Sequence, residues 1–191
     1  QELQELANNF LICVTSFFRN PEAFNAIRKE LQAIIARKKP GDSIRIWIPA
    51  CATGEEVYSI AIYLMEDLQA KLADYRIQIF ATDMNTDAIH TARSGVYPET
   101  ALANVNDELI KKYFTVQNGA YIVEKNLKDF VLFARQDLTQ DPPFVRLDLI
   151  CCRNLLIYFK PELQEKVMKV FHYALLERGV LFLGSSETIG K

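Results

Sequence analysis

Five short segments of the chain are apolar almost throughout, and helical patterns separate most of them. These segments are "IRIWI" (44–48), "IQIFAT" (77–82), "FVLFA" (130–134), "LDLICC" (147–152) and "VLFLGS" (180–185). A strand without a polar face needs cover on both sides, which is typical of a parallel sheet between helices. Because right-handed crossovers join such strands, the pattern predicts a doubly wound, mostly parallel α/β domain. The ligand of such a sheet binds at the carboxyl ends of the strands.

Apolar residues that recur every three or four positions predict the helices. The predicted helices cover 2–12, a segment from Pro21 that ends before Pro40, 55–70, 85–93, 107–113 and 161–176. Asn20 and Pro21 have the residue types of a helix cap and a first helical position. The alternation breaks at 96–129, where "YFTVQNGAYIVE" predicts a hairpin around Asn118 and Gly119. We therefore expect a small antiparallel insert there.

Composition limits the classes of function. The 191 residues are 50% hydrophobic and 24% charged, which suits one globular domain. The net charge of −2 gives no overall attraction to nucleic acid or to an anionic membrane. No apolar run approaches the about 20 residues of a membrane helix, so we expect neither a nucleic-acid partner nor membrane insertion. Because the first residue is Gln1 and not methionine, we expect a fragment of a longer protein.

The four cysteines do not have the spacing of a zinc motif. They are Cys13, Cys51, Cys151 and Cys152, and only two histidines accompany them. We therefore expect buried, reduced thiols in a cytoplasmic protein, and no metal site.

The loop after the first strand has the sequence "ACATGEE" (50–56) and contains one glycine, Gly54. It matches neither the dinucleotide fingerprint nor the phosphate loop, both of which hold phosphate on bare backbone N–H groups. Two carboxylates, Glu55 and Glu56, stand at the helix start instead. Acids in a first helical turn are common partners of the helix dipole, and Glu55 fits that interpretation as well as a functional one. For Glu56 we favour contact with a cationic ligand.

An acid also follows the second strand, in "TDMN" (82–85). Asp83 is placed to accept hydrogen bonds from a ribose diol, and the alternative is a helix cap. A ligand with a ribose, positive charge and no phosphate is S-adenosylmethionine. The sequence therefore predicts an S-adenosylmethionine site at these strand ends.

The segment "DPPF" (141–144) resembles the signature of amino-methyltransferases that act on adenine, cytosine or glutamine. In those enzymes the motif follows the fourth strand, whereas here it precedes "LDLICC". We therefore expect a structural loop and no DNA methylation.

Five motifs together carry a more specific resemblance. In order they are "VTSFFRNPEAF" (14–24), "ACATGEEVYSIA" (50–61), "FATDMN" (80–85), "RNLLIYF" (153–159) and "LFLGSSE" (181–187). With them the chain resembles the CheR-type chemotaxis-receptor glutamate O-methyltransferases, over almost its whole length. It is most similar to the methyltransferase segment of fused CheB–CheR (methylesterase–methyltransferase) signalling proteins. The resemblance implies a class I S-adenosylmethionine-dependent methyltransferase fold, with N-terminal helices and an active-site motif at 1–40 and the cofactor-binding domain at 41–191.

The resemblance also implies roles for residues that would bind the cofactor. Glu56 would bind its amino group, and Asp83 its ribose hydroxyls. Met84 would lie against the adenine, and Asp137 and Leu138 would border the adenine edge.

A second group would surround the methionine portion and the reacting centre. Thr15 and Arg19 would lie at the methionine end, and Asn154 and Leu155 would contact the methionine portion. Arg19 and Tyr158 would be the catalytic residues. The implied reaction is methyl transfer to glutamate side chains in the cytoplasmic domains of chemoreceptors, with fused methylesterase and sensory domains as further partners. A glutamate with a reference pKa of about 4.3 is already a nucleophile, so neither a general base nor a metal is needed.

The chain departs from the family in several places. Cys13 replaces a usual asparagine, and Asp137 replaces an asparagine beside the adenine. The N-terminal helical region is almost wholly missing, and the hairpin with its lone Gly119 is short, so we expect no docking of a receptor's C-terminal pentapeptide. The chain stops soon after "VLFLGS", which predicts reduced stability or a dimer through an exposed sheet edge.

Three functions remain open from the sequence. The first is an active glutamate methyltransferase. The second is a non-catalytic cofactor-binding or scaffolding module in a signalling fusion, and the third, weaker, is a methyltransferase for small molecules or nucleic acid.

Overall fold

A computed structural model describes residues 15–188 of the chain, and its main sheet has five parallel strands. The described elements, in chain order, are α1 (Pro21–Ala36), β1 (Ser43–Pro49), α2 (Glu55–Leu68), β2 (Arg76–Asp83), α3 (Thr86–Ser94), β3 (Val96–Pro98), α4 (Asp107–Tyr113), β4 (Phe114–Gln117), β5 (Ala120–Val123), α5 (Lys125–Lys128), β6 (Val131–Arg135), β7 (Leu147–Cys152), α6 (Pro161–Ala174) and β8 (Leu175–Leu183). The strand order is β6-β2-β1-β7-β8, and every pairing in this sheet is parallel. The predicted doubly wound α/β sheet is therefore confirmed.

The central strands β1 and β7 explain the apolar segments of the sequence. All six residues of β7 are buried, and β1 is buried from Ile46 to Pro49. Helices α1, α2 and α3 contribute to one large core cluster, and α6 contributes to a second. The second cluster includes Trp47, whose ring lies 5.7 Å from the rings of both Phe144 and Phe171. Trp47 also donates a hydrogen bond from Nε1 to Thr82 Oγ1, at 3.0 Å.

Helix α1 begins where its cap residues indicate. Pro21 is its first residue, and the Asn20 side chain accepts a hydrogen bond from the Ala23 backbone N–H. Its buried residues are Phe24, Ile27, Leu31 and Ile34. The predicted helix at 2–12 and Cys13 lie outside the described residues.

The insert forms a separate antiparallel sheet of the order β3-β5-β4. The expected hairpin joins β4 and β5 through Asn118 and Gly119, whose φ values are 51° and 76°. Positive φ at both turn residues is the requirement of the tightest hairpins. The third strand, β3, was missed because its three residues are too few to show an alternating pattern.

The last predicted strand begins earlier than its sequence pattern indicates. The prediction placed Leu175 and Leu176 in the preceding helix and the strand at 180–185, but β8 already begins at Leu175. Leu147 of β7 pairs with Leu175, and the register shifts before Leu149 pairs with Val180. Pairing with β7 therefore overrides the helical pattern at these two leucines. Within the described sheet, β8 forms one edge and β6 the other.

Three cysteines can be placed, and all three are free and buried. Burial is the main cause that raises the pKa of the thiols of Cys51, Cys151 and Cys152, which keeps them protonated. Within residues 15–188, no group of three or more His, Cys, Asp or Glu side chains is arranged to hold a metal ion. No helix within residues 15–188 is long and apolar enough to cross a membrane.

Candidate active site

The loop between β1 and α2 is attached to the end of β2 by its backbone. Cys51 donates a backbone hydrogen bond to Thr82 O at 3.0 Å, and the Ala52 N–H donates to Asp83 Oδ2 at 2.9 Å. Ala50 and Ala52 have φ values of 54° and 47°, a conformation that side chains disfavour. The loop is thus held in a strained shape by its neighbour strand.

Gly54, the N-cap of α2, is the one position in this loop where a side chain does not fit. Its φ is +91°, and a Cβ there would lie 2.8 Å from Ala92 Cβ and 3.1 Å from the Tyr97 hydroxyl oxygen. The single glycine of the loop therefore serves the close approach of α3 and of the insert. This differs from a glycine that opens the backbone to a phosphate.

Glu56 lies in the first turn of α2 and has two partners from the end of β7. Its Oε2 accepts a hydrogen bond from Arg153 Nη1 at 2.8 Å, and its Oε1 accepts one from Cys151 Sγ at 3.2 Å. The side chain of Glu56 is 21% exposed and that of Arg153 only 7%. Burial raises the pKa of Glu56, and the Arg153 charge opposes that shift. Arg153 was missed in the sequence, although it stands inside the "RNLLIYF" motif.

Arg153 carries a further unused donor. Its Nε is buried and has no hydrogen-bond partner within residues 15–188, and its guanidinium carbon lies 5.5 Å from the centre of the Phe24 ring. The arginine thus connects α1, α2 and β7 beneath the strand ends.

Glu55 points to a different environment from Glu56. It is 5% exposed and accepts a hydrogen bond from the Thr53 hydroxyl at 2.7 Å. Burial raises its pKa, and the Thr53 hydroxyl opposes the shift. The Tyr97 hydroxyl donates to Thr53 O at 2.6 Å, so these contacts favour a structural role for Glu55 at the junction with the insert.

Asp83 ends β2 with both carboxylate oxygens in use. Oδ2 accepts from the Ala52 N–H, and Oδ1 accepts from the Asn85 N–H at 2.9 Å. The side chain that caps α3 is Asn85, which accepts from two backbone N–H groups. The alternative of Asp83 as the helix cap is therefore wrong. Each oxygen of Asp83 can accept further hydrogen bonds, and Met84 beside it is 54% exposed.

The segment after β6 holds Asp137 in a tight turn. The Asp137 carboxylate accepts from the Thr139 backbone N–H at 2.8 Å, the Thr139 hydroxyl at 2.7 Å and the Gln140 amide at 3.0 Å. The Thr139 hydroxyl is the main cause that lowers the pKa of Asp137, so this acid is ionised and can only accept. The Leu138 side chain packs in the second core cluster.

The "DPPF" segment lies in the loop before β7, and its phenylalanine is half-buried against the second core cluster. Phe144 stacks on Phe80 with ring centres 4.2 Å apart. Pro142 O accepts a hydrogen bond from Gln136 Nε2 at 2.9 Å. These contacts favour the structural interpretation of the segment.

The turn after β7 presents the remaining predicted residues. Asn154 has a φ of 58°, and the helical turn Leu156–Tyr158 follows it. Leu155 is half-buried, whereas the Tyr158 side chain is 64% exposed. Tyr158 can thus contact a large substrate.

The segment with Thr15 and Arg19 packs on the start of α2. The Phe18 N–H donates to Ser59 Oγ at 3.0 Å, and Ser59 in turn donates to Glu55 O at 2.6 Å. Thr15 is half-buried and Arg19 is exposed. Arg19 therefore lies next to a residue that is fixed on α2, the helix that carries Glu56.

The strand order β6-β2-β1-β7-β8, with helices on both faces of the sheet, is that of the class I S-adenosylmethionine-dependent methyltransferase fold. A solved structure of the DszA carbon methyltransferase shares the fold, with a TM-score of 0.53 and 18% identity, and the match covers 84% of this chain and 33% of that one. The family described as CheR methyltransferase, SAM binding domain, matches residues 13–191. The chain belongs to this family and is its S-adenosylmethionine-binding domain.

Two relatives show how much of a longer protein such a chain represents. It is 33% identical to "Chemotaxis protein methyltransferase 2" of Vibrio cholerae, over 100% of this chain and 67% of that protein. It is 39% identical to the "Uncharacterized 104.1 kDa protein in hypE 3'region" of Rhodobacter capsulatus, over 98% of this chain. The chain spans only 20% of the length of that second relative.

Proposed function

We propose that the protein transfers a methyl group from S-adenosylmethionine to glutamate side chains of chemoreceptors. One observation carries this proposal: the adjacent strands β2, β1 and β7 bring Asp83, Glu56 and Asn154 to one edge of the sheet in a chain of the CheR family. The hydrogen bonds of the Ala52 N–H with Asp83 and of Arg153 with Glu56 connect these three strand ends directly.

The chemistry of the side chains fits S-adenosylmethionine. Glu56 is a partly exposed carboxylate suited to the amino group, and Asp83 has free acceptor positions for the ribose hydroxyls. Met84 offers an exposed apolar surface to the adenine, and the ionised Asp137 can accept from its amino group. The backbone of Leu138 would complete the adenine edge.

The methionine portion would contact Thr15, Asn154 and Leu155. These residues come from the segment before α1 and from the turn after β7. The first segment contacts the helix that carries Glu56, through the Phe18 N–H and Ser59, and the second contacts Glu56 itself through Arg153.

Few catalytic groups are needed for this reaction. S-adenosylmethionine supplies an electrophilic methyl group, and the products are a glutamate methyl ester and S-adenosylhomocysteine. A receptor glutamate with a pKa of about 4.3 is ionised at neutral pH, so no residue has to remove a proton. Arg19 would hold the substrate carboxylate by charge-assisted hydrogen bonds, and the Tyr158 hydroxyl would orient it. The enzyme's contribution is then mainly alignment of the reactants.

The partners follow from this reaction. The substrate is the cytoplasmic domain of a chemoreceptor, and fused methylesterase and sensory domains are further partners. The turn between β4 and β5 has only two residues, which supports our expectation that no receptor pentapeptide docks on the insert.

Replacement of Arg19 by alanine tests the proposal. We expect methyl transfer to receptor-containing membranes to be lost, while affinity for S-adenosylhomocysteine in titration calorimetry stays within a few-fold. Asp67→Asn is a suitable control, because Asp67 pairs with Arg28 of α1 and has no predicted contact with either ligand. If the parent protein binds S-adenosylhomocysteine and transfers no methyl group, the non-catalytic module is the correct function.

A further inference from the structure

Glu187 follows β8 and is held by four backbone N–H groups. Its Oε1 accepts from Leu155 and Leu156, both at 2.8 Å, and its Oε2 accepts from Asn154 at 3.0 Å and from Gly184 at 2.6 Å. We propose that Glu187 is a positioning residue, which fixes the Asn154–Tyr158 turn for cofactor binding and methyl transfer. This inference rests on the proposed function.

Three of the four donors are consecutive residues at the start of a helical turn. N–H groups in that place lack partners within the turn, and several that converge form a concave site for an anion. Hydrogen bonds to an ionised carboxylate are about twice as strong as neutral ones. Glu187 thus provides the anion that the turn requires, from a separate segment of the chain.

Gly184 lies close to both the Glu187 carboxylate and the turn. A Cβ at Gly184 would lie 2.7 Å from Glu187 Oε2 and 3.3 Å from the Asn154 backbone nitrogen. The φ of Gly184 is not in the left-handed region, so a side chain there would meet steric contacts but no backbone strain. A side chain at position 184 would therefore displace the carboxylate of Glu187 from its place beside the turn.

The turn needs such an anchor because of its own geometry. Asn154 holds a φ of 58°, a left-handed conformation that asparagine adopts more readily than most residues but that still costs free energy without support from its surroundings. Tyr158 is exposed and lies two residues beyond Leu156, the last donor to Glu187. Glu187 fixes the backbone from Asn154 to Leu156. It therefore acts on ligands through these residues and touches neither S-adenosylmethionine nor the substrate glutamate.

Electrostatics also connects Glu187 with the cofactor site. Burial is the main cause that raises the pKa of Glu56, and the negative charge of Glu187 adds to the shift. The two carboxylates are therefore within electrostatic reach of one another.

The first test replaces Glu187 with glutamine, which keeps the shape but turns one acceptor oxygen into a donor. Two of the four N–H groups then lose their acceptor. We expect affinity for S-adenosylhomocysteine and kcat to fall by about ten-fold or more each, and hydrogen exchange to accelerate at the amides of Asn154, Leu155 and Leu156. Unchanged affinity and kcat in a variant with faster exchange would overturn the positioning role and leave the proposed function intact.

Asp148→Asn is the matched control at the opposite end of β7. Asp148 also accepts a backbone hydrogen bond, from Arg45 at 2.9 Å, and pairs with Lys38 at 2.6 Å. We expect this variant to lose thermal stability without the change in affinity, kcat or exchange at the turn. An equal loss of affinity in this control would mean that Glu187 has only a general structural role.

The second test uses Gly184→Ala, alone and combined with Glu187→Gln. The added Cβ should expel the carboxylate, so the double variant should bind S-adenosylhomocysteine no more weakly than the weaker single variant. Additive losses would contradict a shared mechanism. Tighter binding by Glu187→Gln would show that the carboxylate competes with the ligand, and a parent without affinity for S-adenosylhomocysteine would overturn the proposed function and this inference together.

Discussion

Replacement of Glu56 by glutamine should weaken cofactor binding without unfolding the protein. If Glu56 binds the amino group of the cofactor, the substitution removes one hydrogen bond between charged groups. Such bonds contribute about 1.5–3 kcal/mol, and 1.4 kcal/mol corresponds to about ten-fold in affinity. We therefore expect S-adenosylhomocysteine to bind about ten- to a hundred-fold more weakly.

The effect of the same substitution on stability depends on two opposing contributions. Removal of one partner from a buried ion pair costs about 3–5 kcal/mol, and Arg153 is almost fully buried. However, burial raises the pKa of Glu56 despite Arg153, so the ionised carboxylate already lowers the stability of the folded state above that pKa. Glutamine removes this cost and keeps an acceptor for Arg153. We expect the free energy of unfolding to change by no more than about 1.5 kcal/mol.

The pH dependence of binding gives the decisive measurement. Glu56 must be ionised to hold a cationic group. Its pKa is raised above the value of about 4.3 that an exposed glutamate has, so affinity should fall as the pH decreases through that raised pKa. Calorimetric titrations of the parent at successively lower pH should show this fall, and the glutamine variant should lack it. Equal affinity of both proteins at neutral pH would refute our interpretation of the loop, and a large loss of stability would refute the direction of the pKa shift.

Three further predictions concern single side chains. Gly54→Ala should lower the free energy of unfolding by about 2–4 kcal/mol in denaturant titrations, because it combines a left-handed backbone with a clash at Ala92; stability within about 0.5 kcal/mol of the parent would contradict this. Tyr158→Phe should lower kcat about ten-fold and leave the melting temperature unchanged, because the side chain is largely exposed; unaltered kcat would exclude the hydroxyl from the reaction. Asp67→Ala should cost about 1 kcal/mol through its two-point contact with Arg28, and the loss should shrink at high salt; a salt-independent loss would indicate a packing effect.

The fold was largely predictable because each central element has a strong local pattern. The strand of Trp47 is apolar from Ile46 to Pro49, the strand of Cys151 has Asp148 as its one polar residue, and such strands are typical of a parallel sheet covered on both faces. The start of α1 at Pro21 and the turn at Gly119 depend on backbone preferences of single residue types. Such local rules hold regardless of the remainder of the chain.

Other features depend on contacts that no local pattern reveals. Leu175 follows a helical sequence, but it becomes part of β8 because β7 offers a free edge. Arg153 is separated from Glu56 by 97 positions, so their pairing could not be inferred from spacing. The contacts of Glu187 with Asn154 and Leu155 likewise join segments more than 30 positions apart. In each case the partner is determined by the sheet order, which the sequence pattern leaves open.

The position of Trp47 makes the folded state directly observable by fluorescence. It is the one tryptophan of the chain, it is fully buried in β1, and it lies two residues before Pro49, where the loop between β1 and α2 begins. Its ring contacts Phe144 and Phe171 on the side of the sheet covered by α6. Emission from the parent should therefore be blue-shifted, and a red shift during denaturation would report the opening of this layer without any added label.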